Sequence, residues 1–358
     1  MSAGSAIPGF AIAGRAIGPG EPPFLIAELS GNHKGELSRA LAMIDAAADA
    51  GADAVKLQTY TADTITLKSD APEFTIEGGL WDGRTLHDLY QEASTPWDWH
   101  KALFEHARKR AITIFSSPFD PSAVALLEEL GAPAYKIASF EIVDLPLIAC
   151  AARTGKPLII STGMAREDEI AEAVETARAA GAGGVAVLRC VSGYPAPAHD
   201  YNLAALADMP ARFGAPAGLS DHTLDDVTAI AATALGAAVI EKHFTLDRSD
   251  GGPDAAFSLE PDEFARLARA VRSAHAALGQ PVYGPKPSEA ANLQFRRSLY
   301  FTRDLPAGHV LGEGDVRSVR PGHGLAPKHL DAVLGRRLAR PVRHAEPVGW
   351  EAIEGGQI

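Results

Sequence analysis

Cysteine is scarce: the 358 residues contain two, Cys150 and Cys190, each in an apolar run and far apart in sequence. That excludes a fold stapled by disulfides and points to a reducing, cytoplasmic setting. No charged n-region followed by an apolar h-region opens the chain, so no secretory leader is expected. Long hydrophobic runs are lacking too. The uncharged stretch Val227 to Ile240 is too short and too rich in Ala and Thr to span a bilayer, and reads as a core helix running into a strand. Positive charge is in deficit, with Lys plus Arg at 33 against Asp plus Glu at 45, a net charge of −12. Such a chain repels a phosphate backbone, which argues against nucleic acid as a partner. Three motifs are also missing: the G-x-x-x-x-G-K-[ST] phosphate loop, the G-x-S-x-G elbow, and a G-x-G-x-x-G that follows a strand and opens a helix.

What is present is an ordinary globular composition, 46% hydrophobic and 22% charged. The length suits one α/β barrel of about 250 residues with an appendage. Eight short apolar runs recur, each followed by a helical pattern. They are Phe24 to Leu29, Ala54 to Gln58, Ile112 to Ser117, Ala134 to Ser139, Pro157 to Thr162, Val185 to Cys190, Ala215 to Asp221 and Val239 to Phe244. Runs this apolar fit parallel strands covered on both faces, and the intervening Leu37 to Ala50 and Glu167 to Ala180 place apolar residues three and four apart. The count predicts a closed (β/α)8 TIM barrel. Gly51, Gly131, Gly155, Gly181 and Gly236 stand where its helices should stop.

Two departures from regular spacing carry information. An extra segment from about Thr59 to Thr95 separates the second and third strands; as a βα loop it belongs at the C-terminal face, shaping a substrate pocket or lid, the alternative being a surface excursion. After Leu278 the pattern changes, with Pro281, Gly284, Pro285 and Pro287 marking a linker. The expected organisation is therefore a barrel over 1–280, a linker over 281–294 and a small domain of short strands and turns over 295–358. A unit of that size has a marginal core, so docking onto the barrel or onto another subunit would stabilise it.

Charged and polar residues cluster at the C-terminal ends of the predicted strands: Glu28, Lys56, Gln58, Ser117, Lys136, Ser139, Ser161, Ser220, His222, Glu241 and His243. An ionised group at a strand end escapes burial only by facing the barrel mouth, so these ends converge on one cavity. Alternation sends Lys56 with Gln58, Ser220 with His222, and Glu241 with His243 to common sides. Two lysines among hydroxyls suit an oxyanion or phosphate site; the alternative pairs each lysine with a carboxylate such as Glu28 or Glu241. His222 and His243 come from neighbouring strands and could share one divalent cation, with water, substrate oxygen or a carboxylate completing an open Mn²⁺ or Mg²⁺ site. The alternative is a pair of hydrogen-bonded structural histidines. The contiguous run Ser220-Asp221-His222 is not read as a triad, because triads assemble from separate segments.

The ordered motifs Ala27-Glu28-Leu29-Ser30-Gly31-Asn32-His33, Lys56-Leu57-Gln58-Thr59, Tyr135-Lys136-Ile137-Ala138-Ser139-Phe140-Glu141, Gly218-Leu219-Ser220-Asp221-His222-Thr223 and Glu241-Lys242-His243-Phe244 resemble those of the sialic acid synthase family. So do Ser116-Ser117-Pro118-Phe119, Ser161-Thr162-Gly163-Met164, Gly193-Tyr194-Pro195 and Gly252-Pro253-Asp254. Arg320-Pro321-Gly322-His323-Gly324 and Leu334-Gly335-Arg336-Arg337 resemble the family's antifreeze-like (SAF, β-clip) domain. The resemblance covers the chain from about Pro22 onward. It implies a metal-dependent condensation of phosphoenolpyruvate with an N-acylated amino sugar, giving a nonulosonic acid and phosphate. It further implies that Lys56, Ser117, Lys136, Ser139, Ser161, Ser192 and Ser220 hold the donor, and that His222 and His243 hold Mn²⁺ or Mg²⁺. Glu28, Gln58, Glu141, Tyr194 and Asp254 would surround the sugar and the water, with Glu28, Lys56 and Lys136 the catalytic set. Arg320 would enter from the small domain of the other chain in a domain-swapped homodimer. Segments 79–84, 190–197 and 296–300 resemble most the branch whose acceptor is 2,4-diacetamido-2,4,6-trideoxy-L-altrose, the N-acetylneuraminate and legionaminate branches being the alternatives. Arg189 stands where many relatives have His, and His344-Ala345 replaces a basic-Gly turn. Two other classes are carried alongside: a Schiff-base aldolase built on a strand-end lysine, and a non-catalytic sugar- or ice-binding protein.

Overall fold

The computed structural model describes residues 7–356; the outermost residues of the expected first and last domains, 1–6 and 357–358, lie outside the described residues. The chain divides into two compact units that meet at Gly279 and Gln280. In the first, eight parallel strands close into a barrel: β3 (Phe24–Glu28), β4 (Ala54–Thr59), β5 (Thr113–Pro118), β6 (Tyr135–Ile137), β7 (Leu158–Ser161), β8 (Val185–Cys190), β9 (Ala217–Asp221) and β10 (Val239–His243). Closure comes from β10, which pairs with both β9 and β3. Helices follow the strands, among them Leu37–Asp49 and Glu167–Ala179, within a residue of the lengths their periodicity predicts. Gly181, just past the second of these, takes φ 98, a backbone that a side chain would strain.

Because strand side chains alternate, each strand contributes one column to the barrel interior and one to the helix layer. Leu25, Ala27, Val55, Leu57, Tyr135, Ile137, Leu158 and Ile160 face outward and pack with Met43, Phe104, Leu127 and Ile148 of the helices. The inward column starts apolar, with Phe24, Ile26, Ala54, Phe115, Ala134, Ile159, Ala186, Leu188 and Val239 filling the lower barrel. An N-terminal hairpin not foreseen from the sequence, β1 (Phe10–Ile12) against β2 (Arg15–Ile17), caps that end. Its Ile12 and Ile17 join the apolar layer, with Phe10 packed against it. Gly184 makes the fit possible, since a Cβ there would lie 2.3 Å from the Phe10 ring.

The segment after β4 contains a helix over Ala62–Ile65, a bridge between Thr75 and Thr85, and a helix over Leu86–Ala93. Residues 280–286 are irregular, and a 3-10 helix occupies Pro287–Phe295, ending one residue beyond the segment 281–294 expected to be linker. In the second unit, β11 (Ser298–Phe301) pairs antiparallel with β12 (Val316–Val319) over a separate core that includes Leu299, Phe301, Leu311, Val333 and Val348. Ala345, where the resemblance leads one to expect glycine, adopts φ 62. Among the described residues no helix is long and apolar enough to cross a membrane.

Candidate active site

Halfway up the barrel the inward column changes character. Above the apolar layer it presents Lys56, Gln58, Lys136, Ser161, Cys190, Ser220, His222, Glu241 and His243, all bordering one cavity of about 480 Å³. Ser139, Glu141, Ser192, Tyr194 and Asp254 reach the same cavity from the βα loops. Glu28 and Ser117 are buried beneath it and touch Lys56. Arg320, also singled out from sequence, belongs to the second unit, one residue beyond β12.

Strand register explains the charge pairing. Glu28 sits in the ladder between His243 and Lys56, and Glu241 lies beside Ser220. The Lys56 ammonium is 2.6 Å from Glu28 Oε2 and 3.6 Å from Glu241 Oε1, and donates to Ser117 Oγ at 3.2 Å. Lys136 donates to Glu241 Oε1 at 3.1 Å. Burial penalises charge on both lysines. For Lys56 the neighbouring Glu241 and Glu28 outweigh that penalty and raise its pKa; for Lys136 burial prevails over Glu241 and the pKa falls. Burial likewise pushes Glu141 up to about 7. Burial, then the nearby Glu28 charge, takes Asp254 to about 6. The cup therefore holds paired ions at its floor and, at its side, two carboxyls whose pKa values burial has raised toward neutrality.

The two imidazoles are neutral and oriented. Burial lowers His222 to about 4 and His243 well below its ordinary value. His222 Nδ1 lies 2.7 Å from the Val191 carbonyl, which can only accept, so Nδ1 carries the hydrogen. His243 Nδ1 lies 3.1 Å from Ser30 Oγ, whose single hydrogen goes to a carboxylate, Glu28 Oε1 at 2.8 Å; Nδ1 again must donate. Both rings thus keep an unprotonated Nε2, with ring centroids 5.2 Å apart. Glu241 Oε2, buried, has no hydrogen-bond partner. Two held neutral imidazoles fit an open divalent site that takes its remaining ligands from substrate and water. No group of three His, Cys, Asp or Glu among the described residues would enclose an ion by itself.

Hydroxyls line the β7 and β8 side of the cavity. Ser161 Oγ and Ser192 Oγ are buried and without partners. Gly163, at φ 49, lies so close to the Ser139 and Ser192 side chains that a Cβ would stand 2.5 Å from Ser139 Cβ and 2.9 Å from Ser192 Oγ. The insertion after β4 supplies an apolar side through Ile65, Ile76, Trp81, Leu86, Leu89 and Tyr90, and the Trp81 indole donates to the Pro253 carbonyl at 3.1 Å. Sequence reasoning missed Ser30 as a site residue, although it ties Glu28, Gln58 and His243 together; its one signal was its place two residues after Glu28. Arg189, left without a role, donates from Nε to the Tyr201 carbonyl at 2.7 Å. Asp221 turns away from His222 and pairs with Lys242 at 2.9 Å outside the barrel, as expected if it is no triad member.

This chain matches the model of the NeuB family over residues 43–283 and that of the SAF domain over residues 296–354. It is 44% identical to a pseudaminic acid synthase of Helicobacter pylori over 336 residues, covering 93% of this chain and 98% of that protein. It is 38% identical to an N,N'-diacetyllegionaminic acid synthase of Campylobacter jejuni, covering 90% and 97%. Among solved structures, the N-acetylneuraminic acid synthetase of Leptospira borgpetersenii is 33% identical and superposes with a TM-score of 0.72, over 81% of this chain and 96% of that one.

Proposed function

The chain belongs to the NeuB family, an enzyme among sugar-condensing synthases, and from that premise we propose that it condenses phosphoenolpyruvate with an N-acylated amino sugar and releases phosphate. More narrowly, it acts as a pseudaminic acid synthase, its acceptor being 2,4-diacetamido-2,4,6-trideoxy-L-altrose. The observation that carries the reading is the pair of buried, unpartnered hydroxyls of Ser161 and Ser192 in the cavity that two buried lysines also border. Buried donors without acceptors are costly, and an anionic ligand supplies the acceptors they lack. The apolar wall from the insertion suits the methyl groups of a 6-deoxy, diacetylated sugar better than a ring bearing only hydroxyls.

In this mechanism Lys56 and Lys136, with Ser117, Ser139, Ser161, Ser192 and Ser220, hold the phosphate and carboxylate of the donor. C3 of the enol attacks the aldehyde carbon of the sugar; the new C–C bond forms as the carbonyl electron pair moves to oxygen, which takes up a proton. Glu141 and Asp254, with pKa values of about 7 and 6, are the carboxyls able to give it. Water adds to the cationic C2 and loses one proton. The C2–O bond to phosphate then breaks with its pair leaving on phosphate, while the hydroxyl from water forms the C2 carbonyl and passes its remaining proton to the departing phosphate. Glu28, fixed by Ser30 and Gln58 through Oε1, orients that water and receives its proton. Tyr194 and Gln58 flank the acceptor. Mn²⁺ or Mg²⁺ held by His222 and His243 would supply Lewis-acid polarisation of the aldehyde. Fixing two reactants side by side removes up to about 7 to 11 kcal/mol of the barrier, which accounts for the density of anchored polar groups.

The same reading takes the enzyme as a cytoplasmic, domain-swapped homodimer, with Arg320 of the partner subunit brought to the mouth and water excluded. Around that mouth Phe140, Val143 and Met164 are exposed, apolar surface of the kind a second chain covers. The test is phosphate release from phosphoenolpyruvate across 6-deoxy diacetamido sugars, N-acetylmannosamine and the legionaminate precursor, with Mn²⁺ and with EDTA. Release with the L-altrose sugar that EDTA abolishes supports the proposal. Turnover only with another acceptor moves the chain to that branch. Borohydride trapping of Lys56 or Lys136 with activity surviving EDTA would select the Schiff-base aldolase instead, and sugar binding with no phosphate release from any donor would leave a binding protein.

A further inference from the structure

His222 is held by the loop that follows β8, and that loop is itself tied down from outside the barrel. Four contacts join them. The His222 backbone N–H donates to the Tyr201 phenol oxygen at 2.6 Å, and its ring Nδ1–H donates to the Val191 carbonyl. The Ala196 N–H donates to the His222 carbonyl at 3.2 Å, and the Tyr194 ring lies 4.5 Å from the imidazole, centroid to centroid. Tyr201 is fully buried and ends a 3-10 turn over Ala198–Tyr201. Arg189 faces away from the cavity and spends its guanidinium on this turn, donating to the carbonyls of Tyr201 at 2.7 Å and Asp200 at 3.4 Å. The Tyr201 phenol also lies beside the Asp221 carboxylate. Asp221 accepts from the Thr223 and Thr228 side of the β9 loop and pairs at 2.9 Å with Lys242, its neighbour in the β9–β10 ladder and the residue before His243.

We propose that Tyr201, anchored by Arg189, is a positioning residue for His222: it fixes the height and rotation of that imidazole and locks it to the 191–201 loop, whose Ser192 and Tyr194 border the cavity. The inference rests on the reading of His222 and His243 as holders of a divalent ion. Removing the phenol oxygen strands a buried backbone N–H, and the strand-end histidine relaxes away from its partner. Outer partners of this kind set metal affinity by about 10- to 100-fold. Arg189 acts one step further out, through the carbonyl that sets where the Tyr201 ring stands.

The test uses full-length protein freed of metal and titrated with Mn²⁺ alone, free Mn²⁺ being followed by electron paramagnetic resonance. Four proteins are compared: wild type, Tyr201→Phe, Arg189→Met, and Leu127→Val, a core change in helix Pro121–Glu129, which follows β5, that lowers stability without touching the loop. The expected result is Mn²⁺ affinity weakened about 10- to 100-fold in Tyr201→Phe and less in Arg189→Met, with Leu127→Val binding as wild type despite its lower Tm. Restoration of most turnover in Tyr201→Phe by saturating Mn²⁺ would separate positioning from loss of fold. Should Tyr201→Phe not fold, Arg189→Met and Arg189→Lys carry the test, lysine restoring part of the affinity. Equal Mn²⁺ affinity in wild type and both loop variants would overturn this inference alone. Absence of Mn²⁺ binding by wild type would overturn the metal reading and this inference with it.

Discussion

The same eight strands build both ends of the barrel, yet the lower interior is hydrocarbon and the upper interior is ionic. Phe24, Ile26, Phe115, Ile159 and Leu188 pack below, under a hairpin that closes the opening. Two or four residues further along the same strands stand Glu28, Ser117, Ser161 and Cys190. The lower end gains stability from burial and needs only fit. The upper end is stable only because every buried charge has an opposite charge or a hydrogen bond within reach, an arrangement that brings little net stability of its own. Stability and chemistry are thus divided along the barrel axis, with the same backbone serving both.

Lys136→Met tests that division most severely. It keeps side-chain length, removes the charge and leaves Glu241 paired with Lys56 at 3.6 Å; steady-state kinetics should show kcat/KM down roughly 10⁴-fold, about 5 kcal/mol, in a protein that still unfolds cooperatively. At the opposite end, Phe24→Ala should cost about 3 to 5 kcal/mol in urea unfolding while the folded fraction retains normal kcat/KM. Loss of specific activity in that variant would break the comparison.

Acid should bear on the upper end, where the buried imidazoles of His33, His222 and His243 lie. Burial lowers His33, beside the mouth and edge-on to Trp99, from 6.5 to about 4. Between those values the unfolded chain binds a proton that the folded one refuses, so the contribution is complete above pH 6.5 and is lost as the pH falls to about 4. It amounts to about 3 kcal/mol. Urea midpoints measured from pH 7 to 4.5 should therefore fall less steeply in His33→Gln than in wild type. The smallest effect sharpens the contrast between two glycines. Gly184 admits the Phe10 ring below, whereas Gly163 borders the hydroxyl wall above. Gly163→Ala should raise KM for phosphoenolpyruvate about 10- to 100-fold, the equivalent of about 1.4 to 2.7 kcal/mol, as the added Cβ displaces the Ser139 and Ser192 side chains.

Much of this was legible in the sequence. Strand boundaries at Val185–Cys190 and helix boundaries at Leu37–Asp49 follow directly from periodicity. The inward set Lys56, Gln58, Ser220, His222, Glu241 and His243 follows from alternation, which is local and has no competitor. The hairpin at Phe10–Ile17 was missed because its two strands are three residues each, too short for alternation to register. Ser30 and Tyr201 were missed for another reason. A serine in a turn and a tyrosine in a loop are unremarkable until their contacts across the fold are known, and those partners, His243 and His222, lie 213 and 21 residues away in the chain.

The order of apolar and polar residues along each strand determined by itself that there would be a barrel, which end would be inert and which side chains would share its mouth. Alternation and helix periodicity act within a few residues, so they can be read without the fold. Only the tertiary structure decided which lysine faces which carboxylate, which nitrogen of each imidazole carries the hydrogen, and that Arg189 holds the turn behind His222. Those choices depend on the register between strands brought together by barrel closure, and register is a property of the assembled sheet.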